Sequence, residues 1–170
     1  MLILKIILFG LFGFFFIGCS QHNYFIEAGK RHHVNYKTLR AIAEVESHNY
    51  DYIVHVNYNH IFSGSHRFDG YLGANAYMDY VLDPTFANYD IGVCQINKIW
   101  LDIYDLDNED LLDRETNIDI AARIYKQNLK RCKNNIYCAL SLYNTGRKKS
   151  KIGRKYANRV LRARKKLFGN

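Results

Sequence analysis

Apolar residues recur with the period of an α-helix in three stretches of the second half of the chain. The spacing i, i+3, i+4, i+7 and i+11 covers residues 118–129, the pattern returns over 136–143, and a third stripe covers 156–167. The only proline is Pro84, so none of these stretches contains a helix-breaking residue. With 170 residues and 48% hydrophobic content, the chain is long enough for one domain with its own core. The pattern predicts a mainly α domain with several short helices packed around that core.

Two further helical segments precede a long irregular region. Residues 24–33 have the pattern of a short helix, and Asn35 is a suitable cap for a second helix over about 36–47. Residues 48–91 lack a helical period and are rich in tyrosine and glycine. Because irregular stretches longer than ~12 to 15 residues are uncommon inside a domain, we expect either a long functional loop or a small lobe that contains strands.

One acid in the second helical segment lies on the apolar side. Leu39, Ile42 and Ala43 share a face at 100° per residue, and Glu46 falls in the middle of it, whereas Glu44 points to the opposite, solvated side. Burial disfavours the ionised carboxylate and raises its pKa, so such a group can donate a proton near neutral pH. That is the role of the general acid in glycoside cleavage. The alternative is a buried glutamate that only bonds a neighbouring backbone group.

The first eighteen residues differ in character from the rest. They contain one charge, Lys5, followed by an uninterrupted apolar run and then Gly-Cys. The pattern predicts a signal peptide over residues 1–18, export to the periplasm, and a mature domain over 20–170. An uncleaved membrane anchor is the alternative, but this apolar run is shorter than the ~18 to 20 residues that span a bilayer.

Cysteine usage fits an oxidising compartment. Residues 16–19 resemble the bacterial lipoprotein cleavage box, in which Cys19 carries the lipid; the alternatives are that Cys19 is removed or forms a disulfide. Cys132 and Cys138 flank a turn-like sequence between two helical stripes, so a local disulfide is feasible and Cys94 is left over. Neither the cysteines, which lack paired Cys-x-x-Cys spacing, nor the seven histidines match an established metal motif, and we predict no metal site.

Charge is distributed unevenly along the chain. Every acidic residue lies at or before Asp119, and sixteen of the basic residues follow it. A strongly positive carboxyl-terminal segment favours an anionic partner such as a cell-wall polymer, an anionic lipid or a nucleic acid, and the export signal argues against nucleic acid. The alternative is an ordinary solvated helix face.

Four segments resemble, in order, the motifs of the soluble lytic transglycosylase catalytic domain, whose fold is similar to goose-type lysozyme. They are AIAEVES (41–47), YDIGVCQIN (89–97), ALSLYNTG (139–146) and YANRVL (156–161). Weaker similarity at their flanks extends the resemblance from about Tyr24 to Leu167. The resemblance implies a lysozyme-like helical fold with a long irregular insertion, at about 48–88, after the catalytic helix.

The same resemblance implies roles for particular residues. Glu46 corresponds to the lone catalytic acid/base of the family, and Ser47 to a neighbour that orients the site. The positions expected to bind or orient the glycan are Ser47, Gln95, Asn97, Tyr143, Asn144 and Tyr156. Structural alternatives remain, because Tyr143 completes an apolar stripe and Asn144 can cap a helix. The chain departs from the family pattern at Cys94, where methionine is common, and at Thr145, where a small alanine is usual.

The implied activity is non-hydrolytic cleavage of peptidoglycan glycan strands without a cofactor. Glu46 would protonate the bond between N-acetylmuramic acid and N-acetylglucosamine, and the substrate would close a 1,6-anhydro ring. The implied partners are the glycan strands and a secretion, conjugation or pilus apparatus, with membrane contact only through the signal or a lipid. Two alternatives are a hydrolytic muramidase, for which Asp69 or Asp90 is available as a second carboxylate, and a non-catalytic binder of anionic polymer.

Overall fold

The computed structural model describes residues 23–57, 63–82 and 88–169. Within these ranges the chain forms a mainly helical domain with one small antiparallel sheet, as the sequence predicts. The helices are α1 (Tyr24–His32), α2 (Tyr36–Ser47), α3 (Tyr71–Tyr80), α4 (Ile99–Tyr104), α5 (Asn108–Leu112), α6 (Arg114–Arg131), α7 (Ile136–Thr145) and α8 (Lys151–Phe168). The strands are β1 (Ile53–Asn57), β2 (Ser63–Arg67), β3 (Asn88–Ile91) and β4 (Ile96–Asn97).

Local capping explains where the main helices begin and end. The side chain of Asn35 accepts a hydrogen bond from the Thr38 amide at 3.2 Å, so α2 begins at the predicted place. The Ser150 hydroxyl caps α8 in the same way. Gly146 ends α7 in the left-handed conformation with φ 65°, which confirms the predicted stop. Helix α1 ends one residue earlier than predicted, because His33 takes up the left-handed cap conformation.

The region expected to be irregular is the small strand-bearing lobe. It supplies β1, β2, α3 and all of β3, and the sheet order is β2-β1-β3-β4. Val54 lies opposite His66 on one side and Ile91 on the other, so β1 is a central strand. Helix α3 was not predicted, because only Ala74 and Met78 of its residues are buried and no amphipathic stripe is visible. The loop alternative and the description of this insertion as irregular are therefore wrong for the described part.

The core lies between α6 and the helices around it. Helix α6 packs against α1, α5 and α7, and α8 packs against α7 and α2. The predicted stripes face this core, although their end residues Ile136 and Leu167 are exposed. Gly153 lets α8 approach α7 closely, because a Cβ at this position would collide with Ser141. This close approach brings α8 over the end of α2 that carries Glu46.

The predicted disulfide is confirmed. Cys132 and Cys138 are bonded, and the bridge joins the end of α6 to the first turn of α7. The loop is short, so the bridge contributes about 2 kcal/mol to the free energy of unfolding in the chain-entropy account. Cys94 is free and buried.

Some predictions concern residues that lie outside the described ranges. The signal peptide over 1–18 and the lipidation of Cys19 belong to this group. Among the helices of the described part, none combines the length and the apolar character that crossing a bilayer requires.

Candidate active site

Glu46 lies in the last turn of α2, on the side that faces α8. The residue is partly exposed, and the Tyr156 hydroxyl from α8 donates a hydrogen bond to Oε1 of its carboxyl group at 2.6 Å. Tyr156 itself is 1% exposed, so the donor is fixed within the core. The geometry holds one carboxyl oxygen against a rigid partner and leaves part of the residue in contact with solvent.

Burial raises the pKa of Glu46 from its usual 4.5 to about 7. The Tyr156 hydrogen bond lowers the pKa, the charge of Asp90 raises it, and the charge of Arg159 lowers it. Burial has the largest effect on the pKa of Glu46, because protein atoms surround the carboxyl group even though part of the residue touches solvent. Glu46 can therefore carry a proton at neutral pH and also release it, which both halves of acid/base catalysis require.

A tight turn, Gly92–Gln95, connects β3 to β4. Gly92 has φ 77°, and Gln95 has φ 50°, a left-handed conformation that is costly for a residue with a side chain. The side-chain Nε2 of Gln95 donates to the carbonyl of Gly92 at 2.9 Å and to that of Ile53 at 3.3 Å. The side chain thus stabilises the turn and ties it to β1.

The side chain of Asn117, near the start of α6, also holds the Gly92–Gln95 turn in place. Its Nδ2 donates to the carbonyls of Ile91 at 2.9 Å and Leu111 at 2.8 Å, and its Oδ1 accepts from the Cys94 amide at 2.9 Å. The residue is fully buried. A Cβ at Gly92 would collide with the Asn117 amide, so glycine is required there for space as well as for φ. Sequence reasoning did not single out Asn117.

Two other predicted site residues also contact the turn. The Tyr143 hydroxyl, from α7, donates to the Cys94 carbonyl at 2.9 Å. The Ser47 hydroxyl lies 2.8 Å from the Val93 carbonyl and accepts from the Tyr50 amide at 3.0 Å. Ser47 is 1% exposed, so its contacts are with the protein and it orients the turn beside Glu46.

Asn97 and Asp90 form a polar pair on neighbouring strands. The Asn97 Nδ2 donates to Asp90 Oδ1 at 2.9 Å, and the Asn57 amide donates to Asp90 Oδ2 at 3.2 Å. Burial raises the pKa of Asp90, and its charge acts on Glu46. Of the two carboxylates left unplaced by the sequence, Asp90 is therefore the one whose charge acts on Glu46, whereas Asp69 is an exposed residue before α3.

Asn144 lies at the exposed end of α7, next to Tyr143. Neither Asn144 nor Gln95 makes a hydrogen bond to Glu46 in the described structure, so their contact with a substrate stays a prediction. Glu46, Tyr143, Tyr156 and Cys94 are close enough to influence one another electrostatically. The structure thus brings together the central residues that the sequence placed in four separate segments.

A pocket of about 770 Å³ lies elsewhere, between α1, the start of α6 and the end of α8. Phe25, Arg40, Arg114 and Phe168 are among its lining residues, and none of the lining residues is a predicted site residue. Volume alone therefore does not identify the site. Within the described ranges, no three His, Cys, Asp or Glu side chains are grouped as ligands for a metal ion.

Comparison with known proteins identifies a family for the part of the chain that contains these residues. A protein-family model, the transglycosylase SLT domain, matches residues 23–166. Searches among curated proteins and among solved structures gave no significant match. The matched range contains the Glu46 helix, the turn after Gly92 and both tyrosines of the cluster. Because the match covers most of the chain, the protein belongs to the transglycosylase SLT domain family, which has a lysozyme-like helical fold and cleaves peptidoglycan.

Proposed function

We propose that this protein cleaves the β-1,4 bond between N-acetylmuramic acid and N-acetylglucosamine without water, with Glu46 as its single acid/base. In the first step Glu46 gives its proton to the glycosidic oxygen as the bond to the muramic acid C1 breaks. The substrate's N-acetyl group stabilises the positive charge at C1. Glu46, now ionised, takes the proton from the 6-hydroxyl group while O6 bonds to C1. The proton balance closes, and the product is a 1,6-anhydro end.

The observation that carries the proposal is the environment of Glu46, which raises its pKa and gives it a hydrogen bond from Tyr156. A carboxyl group with a pKa of about 7 serves as acid in the first step and as base in the second. The Tyr156 hydroxyl, at 2.6 Å from Oε1, stabilises the carboxylate that exists between the two steps. Burial keeps the proton available before the bond breaks.

The product distinguishes this reaction from hydrolysis. Purified protein is expected to release muropeptides with anhydro ends from wall sacculi, and each is lighter by one water than the corresponding reducing end in mass spectrometry. Reducing ends as the main product would contradict the transglycosylase mechanism. An absence of soluble product would favour a non-catalytic binder of anionic polymer.

Asp90 supports a second candidate, a hydrolytic muramidase. The charge of this carboxylate acts on Glu46, and a hydrolase needs a second carboxylate to activate water or stabilise the sugar cation. The variant Asp90→Asn keeps the size of the side chain and separates the two candidates. In a transglycosylase we expect anhydro products to persist, with a lower pKa of Glu46 because the neighbouring charge is gone. In a hydrolase we expect the release of reducing ends to stop.

The raised pKa of Glu46 predicts the pH dependence of activity. Because the protonated form is the acid, kcat/KM is expected to fall as pH rises through about 7. In Tyr156→Phe the hydrogen bond that lowers the pKa is lost, so the same decline should move to higher pH. Initial rates on sacculi from pH 4 to 9 provide the measurement. A decline centred near the ordinary 4.5 of glutamate, or no change in the phenylalanine variant, would contradict this account.

We also propose that the protein acts in the periplasm, after removal of residues 1–18 and lipidation of Cys19. The support is the sequence pattern of the amino terminus. Mass spectrometry of the amino-terminal peptide from bacterially expressed full-length chain tests both points, and an unprocessed Met1 would contradict them. Recruitment to a secretion, conjugation or pilus apparatus is a further proposal, which cross-linking in the native cell tests.

A further inference from the structure

The outer face of α8 carries most of the positive charge of this helix. At 100° per residue, six exposed basic side chains fall within an arc of about 120° and extend about 22 Å along the helix. These residues, called the basic strip below, are Lys151, Arg154, Lys155, Arg162, Lys165 and Lys166. The opposite face, with Tyr156 and Val160, is buried against α7 and α2. Asn158 is the uncharged exposed residue within this arc.

No carboxylate of the described structure neutralises the basic strip. The ion pairs of the described residues involve Arg31, His32, Arg40, His48 and Arg114, and none of them lies on α8. The sequence contains no acid after Asp119, so helices α7 and α8 contribute none. Six uncompensated charges on one face repel one another and destabilise the fold slightly. An anionic partner that binds there would remove this repulsion.

The basic strip adjoins the catalytic acid through Arg159. The guanidinium of this exposed residue lies 5.6 Å from the centre of the Tyr156 ring, whose hydroxyl binds Glu46. Its charge also acts on Glu46 itself. Arg159 therefore connects the edge of the charged face to Tyr156 and Glu46, and residues of the basic strip precede and follow it along α8.

We propose that the basic strip binds the carboxylates of the peptide stems on the glycan strand being cleaved, so that the enzyme selects glycan that still carries its stems. The inference rests on the proposed function, because it extends the same substrate beyond the cleaved bond. Muramic acid residues carry their stems at regular intervals along the strand, and the stems end in free carboxylates. Lysine and arginine side chains suit such flexible anionic groups, and guanidinium groups bind them in bidentate fashion.

Continuity with the active site favours this occupant over a membrane. A lipid surface would be bound equally well by a basic face anywhere on the protein, whereas stems on the bound strand must lie beside Glu46. The apolar residues of α8 are mostly on the buried side, so the helix has little to insert into a bilayer. Binding of the basic strip to anionic lipid is the competing outcome that the test must detect.

The test compares glycan strands with stems against the same strands after an amidase has removed the stems. The basic strip is reversed in Lys155→Glu/Arg162→Glu/Lys166→Glu. The matched control is Lys130→Glu/Arg131→Glu/Lys133→Glu, which makes the same change in net charge at the exposed end of α6 and in the turn that follows it. For each protein, kcat/KM is measured on both substrates at low and high salt, and binding to vesicles that contain phosphatidylglycerol is measured in parallel.

We expect the wild-type protein and the control to prefer stem-bearing strands by about 10-fold at low salt, since each exposed charge pair contributes modestly. The strip variant should lose this preference and keep the wild-type rate on stem-free strands. High salt should reduce the preference of the wild type. Equal preference in the strip variant and the control, or loss of vesicle binding with the preference retained, would overturn the inference. Failure of the wild type to cleave either substrate would instead refute the proposed function.

Discussion

Replacing Glu46 with glutamine is expected to reduce the release of muropeptides from sacculi by roughly 10²- to 10⁴-fold. Glutamine keeps the size of the side chain and accepts the Tyr156 hydrogen bond, but it has no proton to give to the leaving oxygen. The measurement is the initial rate of soluble product, followed by mass spectrometry. The fold should be retained, because an amide group is less costly to bury than a carboxylate.

The matched control for this variant is Glu44→Gln on the same helix. Glu44 is paired with Arg40 at 3.0 Å, and the Arg40 hydrogen bond lowers its pKa, so it is an ordinary surface carboxylate. We expect this variant to keep wild-type activity. Stability gives a second check: the raised pKa of Glu46 stabilises the fold at low pH, and this contribution is lost as pH rises from 4.5 through about 7. Glu46→Gln should lack that part of the pH dependence. Comparable activity in the two variants would exclude Glu46 as the acid.

The variant Asn117→Ala should lower the free energy of unfolding by about 3 to 5 kcal/mol. It removes three hydrogen bonds of a fully buried side chain, and each buried group that is left without a partner costs about 1 to 3 kcal/mol. Denaturant unfolding measures the change. Activity of the folded fraction should also fall, because the turn that carries Cys94 and Gln95 loses its support.

Asn128→Ala is the appropriate comparison for that change. Asn128 is also a buried asparagine of α6, at 4% exposure, but it makes no side-chain hydrogen bond to the turn. We expect a clearly smaller loss of stability and normal activity. If both variants unfold at the same denaturant concentration, the three bonds of Asn117 do not carry the effect assigned to them.

Features that depend on near neighbours in the chain were predictable from sequence. The Asn35 cap, the start of α2 and the position of Glu46 on the buried side all follow from spacing within one or two helical turns. The disulfide between Cys132 and Cys138 joins residues of adjacent elements and was foreseen for the same reason. The family resemblance placed Tyr156 near the same cleft as Glu46, although the two residues are 110 positions apart, but the hydrogen bond between them is a finding of the structure.

Features that depend on distant contacts were not predictable in this way. Strand register between β1 and β3 depends on how the lobe folds back, and sequence spacing does not determine it. Helix α3 buries only two of its residues, so its stability comes from packing that no periodic pattern reveals. The role of Asn117 was missed, although this polar residue precedes Ala121 by four positions on the apolar stripe. The same reasoning that singled out Glu46 would have found it.

The hydrogen bonds that hold the Gly92–Gln95 turn restrict local motion in the site. Its backbone is bonded to side chains from three helices: Ser47, Asn117 and Tyr143. A local opening of the turn would have to break contacts with all three helices at once. Amide hydrogen exchange at Cys94 should consequently be as slow as exchange in the centre of α6, with both reporting global unfolding. Flexibility needed to admit a glycan strand must then come from other parts of the molecule.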